Sequence, residues 1–429
     1  MEFIPYLQQR LSAQLPTIIA EYTEEIRASD LSEIEVTVKH MTHELGNDVI
    51  QQVLEAHEPR YPADEHVCPH CGAMAKYQRR RQGMSITLHG RVYYRRSYYV
   101  CRQCGQGHYP LDERLGIEPG QMSREVIKVA ALLGAQDAFG TSRDVLARTT
   151  LLELSANSIR KACQQVGQTV AHQEQDQHNL NQDLDHRLAQ KRAPAPKRLY
   201  GSMDGFMTLF EDGWHEMKAG AWWFVDDNKQ AQNIQYYVDT VDAEGFADLV
   251  WATGDRLNAA HAKELVFVTD AAEWIERIIA THFPHAMHII DWYHACAYLA
   301  PVAQSAFQDL THREAWLTQV RTWLWEGHLD EVIQACEQCR QSHLKPEDDP
   351  AYVAARYFTN HRHQMDYPTF RAQGYQIGSG TMESGCKQIG LERLKISGAR
   401  WSQDGARLVA KARAAYLSGL WDEVCAQVA

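Results

Sequence analysis

Apolar residues return every three or four positions through "LPTIIAEYTEEIRASD" and "MTHELGNDVIQQVLEA", the spacing that lines one face of a helix. Residues 1–60 are therefore expected to be helical, with an acidic face suited to packing or dimerisation rather than to DNA. The pattern changes after residue 60. "MSITLHGRVYYRRSYYVC" is rich in β-branched and aromatic residues and reads as strand. Helical spacing returns in "SREVIKVAALLGAQDAFGTSRDVLARTTLLELSANSIRKACQQVGQTVAHQ" as three helices, with breaks near Gly140 and Leu154 and Ser155 as N-cap of the last. A short helix, a turn and a second helix exposing Asn157, Arg160, Lys161 and Gln164 give the outline of a helix-turn-helix. An ordinary three-helix bundle gives the same pattern.

The Pro- and Lys/Arg-rich "AQKRAPAPKR" marks a linker. Beyond it the spacing becomes α/β. "RLYGSMDGFMTLF", "AGAWWFVDD" and "NIQYYVDTV" read as successive strands, "AEGFADLVWATGDRL" as a helix, "KELVFVTD" as a strand, "AAEWIERIIATHF" as a helix and "AMHIID" as a strand. From about Trp292 to Arg371 only helical signals appear, and the C-terminal segment is helical again. The expectation is a multidomain α/β protein. Its parts are an N-terminal helical region (1–60), a ribbon (61–112), a helix-turn-helix-like domain (113–190), a linker (191–198), an α/β core (199–294), a helical stretch (295–372) and C-terminal helices (373–429).

Composition narrows the class. The chain has 429 residues, 45% apolar and 23% charged, which suits several globular domains. Its apolar runs fall short of the roughly 18 residues that span a bilayer, and "MEFIPYLQQRL" lacks the basic start and apolar core of a signal peptide. The expectation is a cytoplasmic protein with no membrane partner. The net charge of −12 argues against nucleic acid until its distribution is examined. It is about −7 over residues 1–60, about +7 over 61–200, about −16 over 201–350 and about +4 beyond. A basic binding region is joined to an acidic one able to hold metal ions.

Four of the ten cysteines form two tight pairs, Cys68 and Cys71 in "VCPHCG" and Cys101 and Cys104 in "VCRQCG". Each pair is followed by Gly, which lets the chain turn so that backbone amides approach the sulfurs. Four thiolates suit a closed, tetrahedral structural Zn²⁺, and the β-prone residues between them suit a zinc ribbon. The ribbon carries Arg79, Arg80, Arg81, Arg91, Arg95 and Arg96 beside Tyr93, Tyr94, Tyr98 and Tyr99. Cations interleaved with aromatics suit phosphate contact and stacking. Cys336 and Cys339 also have C-x-x-C spacing, but mid-helix, where packing is the expected role. "HRHQMD" is histidine-rich with no visible partner set.

Three acidic residues stand out by context. Asp204 lies in a β-prone run, Asp270 ends the strand "LVFVTD", and Glu383 lies in "GSGTMESG", where Ser379 or Thr381 can cap a helix. Strand, strand end and helix start are the places from which an RNase H-like fold brings carboxylates together. Such oxygen ligands suit two divalent cations with open positions for a phosphate. "GSGTMESG" itself lacks the Gly-Lys-Ser/Thr ending of a phosphate-binding loop.

From about residue 60 onward the chain resembles a bacterial insertion-sequence transposase of the DDE class, of the Kra-type family related to Mutator-like elements. The residues that carry the likeness are "SMDG", "WHEMKAG", "FVTDAAEWI", "HIIDWYHACAYL", "IGSGTMESGCKQIGLERLKISGARWS" and the cysteine pairs. The resemblance implies an RNase H-like core in which Asp204, Asp270 and Glu383 are the catalytic carboxylates, holding two Mg²⁺ or Mn²⁺ per active site. It implies that residues 295–372 are an all-helical insertion, and that Asp291 and His294 of "DWYH" support the core, with Asp291 the rival of Asp270. The basic residues Lys387, Arg393, Lys395 and Arg400 follow Glu383, where a DNA backbone can be held; Arg160 and Lys161 join the ribbon arginines as DNA contacts. Implied partners are the terminal inverted repeats of an element, target DNA and further copies of the chain, in a nucleoid-associated protein. Two other readings share these features: a zinc-ribbon DNA-binding protein with an inactive core, and an RNase H-like nuclease without strand transfer.

Overall fold

The structure, a computed structural model, describes residues 3–28, 30–58, 62–118 and 120–428. Contacts divide it into two compact units, residues 1–166 with 425–429 and residues 167–424.

In the first unit, α1 (Phe3–Ala28) packs on α2 (Leu31–His57), whose N-terminus is capped by Asp30. Then come β1 (Glu65–Val67), β2 (Met74–Thr87), β3 (Gly90–Cys101) and β4 (Gly107–His108), paired antiparallel in chain order. Side chains alternate across this sheet. On β3, Val92, Tyr94 and Arg96 are buried, while Arg91, Tyr93 and Arg95 are exposed. The helices α3 (Pro110–Leu115), α4 (Arg124–Gln136), α5 (Phe139–Thr150) and α6 (Ala156–Leu180) follow. Ser155 Oγ accepts from Ser158 N at 3.0 Å, the cap expected from the sequence.

The second unit holds the end of α6, α7 (Leu184–Arg192), β5 (Arg198–Phe210), β6 (Gly213–Val225), β7 (Ala231–Asp239), α8 (Ala243–Asp255), β8 (Glu264–Thr269), α9 (Glu273–His282) and β9 (Met287–Ile290). The sheet order is β7-β6-β5-β8-β9. β5, β6 and β7 form an antiparallel meander, and β8 and β9 run parallel to β5. Leu199 and Met203 of β5, with Trp222 and Phe267, pack against Phe246 of α8 and Ile275 and Ile278 of α9. Period-two alternation therefore turns Asp204 and Phe206 to the other face. Next come α10 (Trp292–Ala297), α11 (Leu299–Ala306), α12 (Leu310–Glu326), α13 (Leu329–Gln338), α14 (Pro350–Asn360) and α15 (Tyr367–Ala372). α16 (Gly380–Cys386) returns to the sheet over β5 and β6, runs into a π-helical segment at Lys387–Leu394, and is followed by α17 (Gln403–Leu417) and α18 (Trp421–Ala426). Cys336 is buried in α13 and Cys339 is its C-cap, consistent with packing.

The division between units falls at residue 166, ahead of the linker expected at 191–198, whose ends lie in α7 and β5. Two contacts tie residues 167–192 to the second unit. A Cβ at Gly167 would lie 2.0 Å from the Leu408 carbonyl oxygen, so only glycine admits α17 this closely. And Lys411 of α17, 1% exposed, gives its Nζ to Glu174 at 2.5 Å, Asp239 at 2.8 Å and the Val238 carbonyl at 2.9 Å. Three donors meet three acceptors. Burial opposes the ammonium, but Glu174 and Asp239 outweigh it and hold its pKa above the ordinary lysine value. Burial pushes the Glu174 carboxyl up, against the pull of Lys411.

Lys411→Met strands two carboxylates in the interior and is expected to cost about 3–5 kcal/mol at pH 7 in urea unfolding. An acid with a raised folded pKa gains its proton first in the folded state, so this deficit should shrink as the pH falls toward 5.

Candidate functional site

The cysteine pairs close the ends of the first sheet. Cys68 and Cys71 follow β1; Cys101 ends β3 and Cys104 precedes β4. Each knuckle is built alike. Gly72 N donates to Cys68 O, and Gly105 N to Cys101 O, both at 2.9 Å, with φ of +74° and +73° at the two glycines. The sulfurs lie within 4.8 Å of one another, with Cys68–Cys104 at 3.7 Å and Cys71–Cys101 at 3.6 Å. Four sulfurs about 2.3 Å from one zinc ion stand about 3.8 Å apart in a tetrahedron, so the set fits that ion. The Cys104 backbone N–H, with help from that of Gln103 and against burial, pulls the Cys101 thiol down to about 7. These cysteines are able to hold a metal such as zinc.

The arginines of the ribbon divide by face. Arg79, Arg80, Arg91 and Arg95 are exposed, as is Tyr93. Arg81 is half-buried, its guanidinium 3.8 Å from the centre of the Tyr98 ring. Arg96 departs from the expectation of a DNA contact. It is 5% exposed, paired with Asp112 and seated 3.7 Å from the Tyr109 ring centre, while Tyr94 donates to the other Asp112 oxygen at 2.9 Å. It holds α3 to β3 and presents no charge to solvent. On α6, Lys161 is exposed and Arg160 is fastened to Asn157 and Gln164.

In the second unit the strand register brings carboxylates together. Arg198 pairs with Glu264 and Gly201 with Phe267 across the parallel β5–β8 ladder. The paired residues end at Gly201–Phe267; Asp204 lies three residues further along β5, and Asp270 directly follows β8. The two carboxylates are close enough for Asp204 to feel the Asp270 charge. Burial raises the Asp204 carboxyl above the ordinary range; the Gly205 N–H opposes this and the Asp270 charge adds to it. A hydrogen bond with the Cys386 thiol and the nearby His294 also oppose it. Paired carboxylates of this kind are costly without a cation.

Asp291 stands one strand further on, since Thr269 pairs with Ile290. It is 1% exposed and fully engaged: Oδ1 accepts from His294 N at 2.6 Å, and Oδ2 from Ser379 N. Asp291 therefore caps α10 and clasps the chain that leads to Glu383. Ser379 contributes its backbone here; its side chain makes no cap on α16.

Glu383 is exposed in the first turns of α16. Tyr236 of β7 donates to Thr381 O at 3.2 Å, and a Cβ at Gly385 would come 2.4 Å from the Tyr236 ring, so the helix lies hard against the sheet. A Cβ at Gly390 would likewise come 2.7 Å from the Phe206 ring. Cys386 hydrogen-bonds Asp204 and feels the Glu383 charge, which sets Glu383 on the Asp204 side of the sheet. Among the described residues only the four cysteines form a group of metal-ligating atoms within 4.8 Å; Asp204, Asp270 and Glu383 are not drawn together so tightly. Of the basic residues that follow, Lys387, Lys395 and Arg400 are exposed. Arg393 departs from expectation: it is fully buried, 5.1 Å from the Trp401 ring centre, and cannot meet DNA.

A family model matches residues 27–426, under the description Uncharacterised protein family (UPF0236). The chain belongs to the UPF0236 family. No curated protein matches it. Among the described residues of this UPF0236 chain, no helix is long and apolar enough to cross a membrane. Two features of the UPF0236 site carry no signal in the sequence pattern. One is Cys386, a half-buried thiol beside Asp204 whose pKa is pushed up by desolvation and by the Asp204 charge. The other is the stacked pair Tyr298 and Tyr357, 3.8 Å between ring centres, whose hydroxyls feel the Asp270 charge. The spacing of Gly385 and Gly390 in "ESGCKQIG" signals a close approach, but not what is approached.

Proposed function

We propose that this protein is a DNA transposase. In this reading the first unit recognises the ends of an insertion sequence. The second is an RNase H-like core that cleaves and joins DNA with two Mg²⁺ ions. The observation that supports it is that Asp204 of β5 feels the charge of Asp270, which follows β8, on the side of the sheet where Cys386 of α16 hydrogen-bonds Asp204. Strand, strand end and helix start supply the oxygen ligands that phosphoryl transfer with two metals requires. The metals would polarise the scissile phosphate, activate water and then a freed 3′-hydroxyl, and steady the leaving oxygen. Lys387, Lys395 and Arg400 are exposed beyond Glu383 to hold the DNA backbone, and the self-association implied by the resemblance would pair the two ends.

The test is incubation of the purified chain with Mg²⁺ and a plasmid carrying the element's ends. The expected products are nicks at the ends and joined target DNA. Nicks without joining favour a nuclease; binding without nicks favours a DNA-binding protein with an inactive core.

The ribbon supports its share of this reading through its exposed arginines. Arg91→Ala with Arg95→Ala should weaken end binding, and the slope of log affinity against log salt should fall by about 0.9 for each phosphate no longer neutralised. Arg96→Ala should instead lower the melting temperature, because it strands Asp112 in the interior. An unchanged salt slope in the double variant would assign that face to solvent.

A further inference from the structure

"HRHQMD" finds its partners in the second unit. After α14 the chain makes a single 3-10 turn at Arg362–Gln364 and buries Gln364, which is 4% exposed. Gln364 Oε1 lies 2.9 Å from His361 Nδ1. Its Nε2 donates to Glu276 Oε1 of α9 at 3.0 Å and lies 2.8 Å from His288 Nδ1 of β9. The other His288 nitrogen, Nε2, lies 2.9 Å from Thr269 Oγ1, and Thr269 Oγ1 donates to the Asp270 carbonyl at 2.7 Å.

One arrangement of protons satisfies all of these groups. The Thr269 hydroxyl has a single proton, committed to Asp270 O, so it accepts from His288 Nε2–H. His288 is then neutral with a lone pair on Nδ1, which accepts from the Gln364 amide. The second amide proton goes to Glu276, and Gln364 Oε1 accepts from His361. The state of His288 agrees: burial lowers its pKa to about 4, with Glu276 opposing and His361 and His363 adding to the shift. A buried glutamine is costly unless paired, and a fully satisfied buried network specifies one arrangement.

We propose that Gln364 and His288 are positioning residues for Asp270, acting through Thr269. This rests on the reading of Asp270 as a metal-binding carboxylate. The relay fixes the plane of the Asp270–Ala271 peptide. The same turn brings Ala272 N to Asp270 Oδ1 at 3.0 Å, so peptide orientation and carboxylate direction are set together. The helical stretch that ends in Gln364 thereby becomes part of the catalytic scaffold.

The experiment uses the full chain with ¹⁵N-labelled histidine, the His288 signals being those missing from His288→Gln. The Nε2–H tautomer, unchanged between pH 6 and 8, is expected; an Nδ1–H tautomer or an imidazolium at pH 7 overturns the relay. In Mg²⁺-dependent nicking, Thr269→Val should lower kcat by about 10- to 100-fold with KM for DNA unchanged. Thr269→Ser, which keeps the hydroxyl, should stay near the parent chain. Gln364→Met breaks the relay from its other end and should behave like Thr269→Val. If both disruptive variants match the parent in kcat, the positioning role is refuted. If the parent chain itself does not nick DNA, the transposase reading fails separately. The relay is then judged by the Ala271 amide nitrogen shift: a change in Thr269→Val supports it and no change overturns it.

Discussion

Asp204→Ala or Asp270→Ala is expected to abolish Mg²⁺-dependent nicking, a loss on the order of a thousandfold or more, since bound metals supply several kcal/mol of transition-state stabilisation. Glu383→Ala should do the same. Binding to the element's ends should persist, because recognition is assigned to the first unit. Removing one carboxylate of the Asp204–Asp270 pair also removes their mutual repulsion, which offsets the loss of the bond from Gly205 N or Ala272 N, so these variants should melt closer to the parent chain without metal than Asp291→Ala does. Asp291→Ala should act differently. It deprives two backbone N–H groups, those of His294 and Ser379, of their acceptor, and should cost about 1–3 kcal/mol of stability. Nicking and thermal melting, measured together, separate the two behaviours. An inactive but well-folded Asp291→Ala beside an active Asp270→Ala would exchange their roles.

The second large effect concerns zinc. Metal analysis should find about one zinc ion per chain, and Cys68→Ser with Cys101→Ser should lose it. Zinc binding to structural sites is worth about 10–16 kcal/mol at pH 7, more than a small sheet gains from burial, so the ribbon should unfold with the metal. Proteolysis within residues 62–110 should become rapid, and end binding should fall with it. Stoichiometric zinc surviving the double substitution would sink the assignment.

Much of the fold is legible in the sequence because the signals are local. Helical spacing, cap residues and paired cysteines each act within a few residues, and Ser155, Gly72 and Gly105 take the roles their neighbours dictate. Arg95 and Arg96 show where locality ends. Adjacent strand residues face opposite ways, so one of the pair has to point inward, but which one depends on Asp112 in a later helix. Arg393 is decided likewise by Trp401. The approach of Asp204 to Asp270 is a matter of strand pairing across distant segments. The sequence marks both residues as strand-borne and leaves their alignment to the ladder. The relay through Gln364 is more distant still, joining residues from Thr269 to Gln364 by side-chain polarity alone.

The π-helical segment sets a limit on sequence length. It accommodates one residue more than an α-helix would between Glu383 and Lys395. Deleting a single residue from Lys387–Leu394 would make the helix more regular and yet turn everything after it by about 100°. Gly390 would leave the Phe206 ring, and Arg393 would leave Trp401. As in the two cysteine knuckles, the spacing here is counted to the residue, and a shift of one position moves Lys395 and Arg400 relative to Glu383.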